Sequence, residues 1–298
     1  MTMDQFNRFV FAGALALAGS AAATAAPPDD TIIVGLSADA STFDPAQISS
    51  RDNSNIAKHI FATLFQVNFE GEVQPYLVDE TAVSDDGLSY TFTLKPDLTC
   101  EDGEPLTAED VAYSFNRPAD EASAFTGNTP GFVYTTLGFQ SAEVVDELNV
   151  KVNLSARTTL ALGMMAQVFI HCKDSYEQMT PEEAASNPIG SGSYRLASWE
   201  RGSEIVLEKV KDPGTFDTII WRIIPEASTR TAELIAGNVD IITNVAPDQI
   251  AAIDASGSAT VAKVNGTRRM QVGFNLGKGV EGMPGAAEIQ DPKVRFAM

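Results

Sequence analysis

The spacing of apolar residues changes period several times along this chain, and each change predicts an element. The run TIIVGLSA at 31–38 is apolar and β-branched, the pattern of a buried strand. From Asp52 onward Ile56, Ala57, Ile60, Phe61, Leu64 and Phe65 recur on one helical face, which predicts an amphipathic helix continuing through Phe65. His59 falls off that face and reads as a solvated surface residue. In SDDGLSYTFTLK a turn at Asp85–Gly87 leads into strict alternation, with Tyr90, Phe92 and Leu94 on one side of a half-buried strand. In LTAEDVAYSF, Thr107 and Asp110 have capping-box spacing ahead of a helix carrying Val111, Ser114 and Phe115.

Further along, Val144 and Val145 precede a turn at Asp146–Asn149, after which Val150, Val152 and Leu154 alternate with polar residues, a hairpin signal. A helical patch follows near 158–168. Strands are predicted through Tyr194 and Leu196 and through Ile205 and Leu207. WRIIPEASTRTAELIAGNVDII reads as strand, then a helix closed by Gly237, then a strand from Val239. At the end, Asp291 and Pro292 look like an N-cap and first helical residue, with Val294, Ala297 and Met298 on one stripe. Strands and helices interleave, so the expected fold is mixed α/β.

Composition narrows the function. The chain has 298 residues, 44% hydrophobic, enough for a sizeable core in one large or two smaller domains. Its 20 basic and 40 acidic residues give a net charge of −20, which disfavours nucleic acid and anionic lipid as partners. Arg8, the apolar run FVFAGALALAG and the Ala23–Ala25 site predict a signal peptide over 1–25, a mature start near Ala26 and a soluble, exported, periplasmic protein. Ser20 stands where a lipid-bearing cysteine would be in LAGS, so no lipid anchor or direct membrane insertion is expected. Cys100 and Cys172 either pair or remain buried thiols, and no zinc-ligand spacing exists. Gly190 and Gly192 lack the Lys and Ser/Thr of a phosphate loop and read as a tight turn. With only His59 and His171 and no nucleophile or zinc motif, the sequence argues against an enzyme and calls for no cofactor.

Taken in order, IVGLSADASTFDPA, DDGLSYTFTL, DGEPLTAEDVAYS, NPIGSGSYRL, IVLEK, RIIPEASTRTAELIAGNVDI, GFNL and DPKVRFAM resemble successive signatures of the family 5 extracellular solute-binding proteins of ABC importers, of peptide, nickel and related types. The resemblance spans 32–298. It implies two α/β lobes closing on a ligand, with the first lobe formed by 26–61 and 173–275, an inserted α+β subdomain over 62–172, and the start of a second lobe over 276–298. Relatives continue past the final helix, so the chain is expected to be the N-terminal portion, lacking the second lobe. It departs from the family in GSGSY, where G-T-G-P-Y is usual, and in the short VKDPGTFD.

The resemblance also implies a site. Ser49, Ser50 and Arg51 follow the F-D-P turn and would offer main-chain groups to a peptide, with Arg51 positioned for a ligand carboxylate. Tyr113 matches a cleft-lining aromatic position, and Asn275 lies where the chain leaves the first lobe. The expected function is capture of a peptide-like small solute by a monomer that delivers it to a membrane permease. The alternative is a free-standing periplasmic interaction or chaperone-like protein retaining only the first lobe.

Overall fold

A computed structural model describes residues 30–263 and 286–297, and the chain divides into two compact units, 1–259 and 260–298. The expected signal peptide, Asn275 and Met298 lie outside the described residues. Among those described, no helix is long and apolar enough to cross a membrane.

The first unit contains two main sheets. β1 (Thr31–Leu36) is followed by α1 (Arg51–Ile60), a hairpin of β2 (Phe65–Val67) and β3 (Val73–Pro75), then β4 (Val78–Val83), β5 (Ser89–Leu94), α2 (Ala108–Asn116), β6 (Phe139–Val144) and β7 (Asn149–Leu154). β8 (Tyr194–Glu200), β9 (Glu204–Lys209), β10 (Thr218–Ile223), a helix at Ala227–Ala236 and β11 (Ile241–Ile242) complete the framework. The larger sheet has the order β11-β1-β10-β9-β8. β1 runs parallel to β10 and β11, whereas β9 is antiparallel to both its neighbours, so this sheet is mixed. The second sheet, β4-β5-β7-β6, is antiparallel throughout.

Alternation sets the faces of the second sheet. Tyr90, Phe92 and Leu94 of β5 are buried, as are Val150, Val152 and Leu154 of β7, and Phe92 lies opposite Val150 in the register. Val111 and Phe115 of α2 pack into the same core. Each such large side chain contributes roughly 1.5–3 kcal/mol through burial. A distinct core under the mixed sheet gathers Leu36, Phe43, Ile56, Ile60, Leu207 and Trp221.

The capping box forms at α2: the Asp110 carboxylate accepts the Thr107 N–H at 2.8 Å, and the Thr107 hydroxyl caps the first turn. The helix at Ala227–Ala236 ends on Gly237 at φ 77°, the left-handed conformation glycine adopts without steric cost. The first long helix, by contrast, stops at Ile60 instead of continuing to Phe65. Tertiary hydrogen bonds replace its next turn. The Gly192 N–H donates to the Ile60 carbonyl at 2.8 Å, and the Ala62 N–H donates to Ser191 Oγ at 3.0 Å. Phe61 is extended, and the chain turns into the β2–β3 hairpin. In the second unit, Pro292–Ala297 is helical, with Asp291 Oδ1 accepting the Lys293 N–H at 2.8 Å as the sequence predicts.

Candidate ligand-binding site

The loop between β1 and α1 is held from inside. Asp44 accepts the Ala46 N–H at 3.0 Å and donates its own N–H to Thr42 Oγ1 at 3.0 Å. Buried Asn53 donates to the Thr42 carbonyl at 2.7 Å, and the Asn128 N–H donates to the Ile48 carbonyl at 2.8 Å. These bonds fix where the chain enters α1. Ser50 is the N-cap, extended, its hydroxyl accepting the Asn53 N–H at 3.2 Å. One acceptor site of that hydroxyl is therefore committed to the helix.

Ser49, Ser50 and Arg51 are exposed and line a cavity of about 390 Å³. Its near wall continues along α1 through Ser54, Asn55 and Lys58; its far wall comes from Asn128, Thr129 and Phe132 and from Ala166, Gln167 and Phe169. A second cavity of about 210 Å³ shares Lys58, Ala166 and Gln167 with the first and adds Phe61, Thr63, Gln66 and Val67. Residues 51, 54, 55 and 58 follow helical i, i+3, i+4, i+7 spacing, so α1 presents a polar stripe to the cavity opposite its buried Asn53, Ile56, Ala57 and Ile60. That polar spacing is a signal the apolar pattern alone passes over.

The electrostatics of the cavity are unlike those of the chain. Among the described residues no carboxylate lines it. Asp52, next to Arg51, turns toward the strand ends, where its Oδ2 accepts from Ser37 Oγ at 3.2 Å and from Asn244 Nδ2 at 3.3 Å. Among the described residues Arg51 and Lys58 form no ion pair, so both are available to an anion.

Tyr113 lies elsewhere. It is half-buried on α2 at the seam between the two cores, 5.6 Å from the ring of His171, and does not line the cavity. His171 is fully buried against Tyr176, with ring centroids 4.4 Å apart. Burial, reinforced by the Arg117 charge, pushes its imidazole down to about 3. With Nδ1 3.2 Å from the Phe169 carbonyl oxygen, the neutral ring carries its proton there. His59 is not the solvated residue its spacing suggests: it wedges between Tyr194 and Trp221 at 5.6 and 5.7 Å, and burial, followed by the Lys58 charge, lowers its pKa.

A larger groove of about 830 Å³ runs past the disulfide that joins Cys100 to Cys172. Seven carboxylates line it, but several have local tasks. Asp110 caps α2 and also accepts the Lys173 N–H, Asp146 closes the turn before β7, and Asp102 accepts from Ser175. This reads as a solvated acidic face of caps and turns. Beside it, burial raises the Glu101 carboxyl to about 7, although the Gly190 N–H donates to it at 3.1 Å. The two glycines of the 190–192 loop have a packing role, since a Cβ on either would overlap the backbone at the end of α1.

Residues 72–298 match the family described as bacterial extracellular solute-binding proteins, family 5 Middle. A "Probable D,D-dipeptide-binding periplasmic protein" of Escherichia coli K12 is 28% identical over 287 residues, covering 86% of this chain and 51% of that protein. A glutathione-binding protein of Salmonella typhimurium is 23% identical over 302 residues, covering 99% of this chain and 56% of that one. The chain thus spans about half the length of the curated relatives it matches. In structure, a periplasmic binding protein of Helicobacter pylori in complex with the peptide STSA superposes with a TM-score of 0.68 at 24% identity, covering 76% of this chain and 48% of that one. The fold is the same mixed α/β architecture.

Proposed function

We propose, from the premise that this chain belongs to the family 5 bacterial extracellular solute-binding proteins, that it carries one wall of the solute site of an ABC importer's binding component. The family is one of binding proteins and not of enzymes. In this reading the protein is exported to the periplasm, captures a peptide or similar small solute, and delivers it to a membrane permease. The names of the relatives, which include dipeptide and glutathione binders, support a peptide-like solute.

The observation that carries the reading is the 390 Å³ cavity in which Ser49, Ser50 and Arg51 meet residues 128–132 and 166–169. Its volume lies within the range of small-ligand sites, about 300–1,000 Å³, and it mixes hydroxyls, amides and two cations with Phe132 and Phe169. We assign ligand contact to Ser49, Ser50 and Arg51. Tyr113 enters as a packing residue at the seam, and Asn275 keeps its assignment at the exit from the first lobe. The division into a lobe of 26–61 and 173–275 with a subdomain over 62–172 is supported by the two separate cores. Residues 276–298 are assigned to the second lobe.

Filling the cavity tests the assignment. Ser54→Trp, at a half-buried position on the cavity face of α1, should abolish binding of short peptides by calorimetry while a cooperative melting transition shows that the variant folds. Unimpaired peptide binding by a folded Ser54→Trp protein would move the site elsewhere.

A further inference from the structure

The charge pattern of the cavity says more than its volume. In a chain with 40 acidic residues among 298, no acidic side chain among the described residues lines either of the two cavities. Both cations of the near wall, Arg51 and Lys58, stand on α1 seven residues apart. At 1.5 Å rise and 100° per residue they share a face and are separated by about 10 Å along the helix axis. Asn55 stands between them on the same stripe, and Gln167 and Asn128 offer amides from the opposite wall. Phe132 supplies apolar surface, itself 52% exposed.

We propose that the solute is a dianion: an extended, amide-bearing molecule with two carboxylates about 10 Å apart, lying along α1 with one acid at Arg51 and the other at Lys58. This rests on the reading of the cavity as the solute site. The guanidinium offers paired N–H donors to one carboxylate, and the ammonium meets the other as a compact charge. The side-chain amides between them match the donors and acceptors of a peptide-like backbone. Around the site the chain's net charge of −20 repels anions at long range, so selection for the dianion comes from these two short-range contacts.

The test is an amide NMR titration of the full chain with three probes of nearly equal size: N-succinyl-Ala-Ala with two carboxylates, N-acetyl-Ala-Ala with one, and neutral N-acetyl-Ala-Ala-amide. The dianion should shift resonances of residues 49–58 and bind roughly tenfold more tightly than the monoanion, as expected for one charge-assisted contact. Arg51→Gln and Lys58→Gln should each bring the dianion down to the affinity of the monoanion. Both positions are exposed, so unchanged melting curves check that the variants fold. Equal shifts at residues 49–58 from the dianion and the neutral probe would overturn the dianion proposal while keeping the cavity as a solute site. Silence of those resonances to all three probes would overturn the cavity reading and the dianion with it.

Discussion

The Asp44 carboxylate and the Arg117 guanidinium meet through two parallel hydrogen bonds of 2.6 and 2.8 Å, tying the loop before α1 to the end of α2. Their side chains are only 4% and 13% exposed. Burial alone would lower the Arg117 pKa, yet the bonds and charge of Asp44 raise it. Removing one partner of such a pair strands a buried charge. Asp44→Asn should therefore destabilise the protein by about 3–5 kcal/mol in urea unfolding, and a double replacement by apolar residues should cost less than the single one. A loss below about 1 kcal/mol for Asp44→Asn would mean the pair is solvated in solution.

Reducing the Cys100–Cys172 disulfide should lower stability by about 4 kcal/mol, because it closes a loop of 72 residues in the unfolded chain. Denaturant midpoints with and without reductant measure this. Identical midpoints, together with two thiols labelled in the oxidised sample, would contradict the bridge.

Two buried groups predict the pH profile with opposite signs. His171 has an ordinary value of 6.5 and a folded value of about 3, so the unfolded chain takes up a proton that the folded one refuses, and stability is lost as pH falls from about 6.5 toward 3. Glu101 has an ordinary value of 4.5 and a folded value of about 7; its contribution is complete below 4.5 and is lost as pH rises through about 7. Where these windows overlap, the two slopes oppose. The melting temperature should change little from about pH 4.5 to 6.5 and fall on either side, and Glu101→Gln should remove the fall on the alkaline side. An unchanged alkaline fall in that variant would exclude Glu101 as its source.

Gly190 sits where a Cβ would overlap the Ile60 carbonyl group. Gly190→Ala should cost about 3 kcal/mol or more, as overpacking against backbone does, whereas Gly103→Ala, with nothing within 4 Å but φ at 90°, should cost only the strain of its left-handed conformation. Comparable small losses at both positions would argue against close backbone approach at the loop.

Local chemistry made much of the fold legible. Period-two alternation placed Tyr90, Phe92 and Leu94 on the buried face of β5, and Thr107 with Asp110 marked the start of α2. The end of α1 was not legible, because it depends on Ser191, 129 residues away from Ala62 in sequence, and on Gly192. His59 misled for the same reason: its aromatic neighbours, Tyr194 and Trp221, belong to strands far along the chain. Of the candidate site, the family motif pointed to Ser49, Ser50 and Arg51. The polar stripe through Ser54, Asn55 and Lys58 lay open in the spacing, but only the fold could bring Asn128, Phe132 and Gln167 opposite it.

The central claim, that this cavity receives the solute, is tested most directly by hydrogen–deuterium exchange of the full chain with and without short acidic peptides at millimolar concentration. Bound solute should slow exchange in three separated segments together, near residues 48–58, 128–133 and 166–169, and leave the acidic groove around Asp102 and Asp146 unchanged. Protection confined to the groove, or absent from all three segments while the peptide binds, would contradict the account.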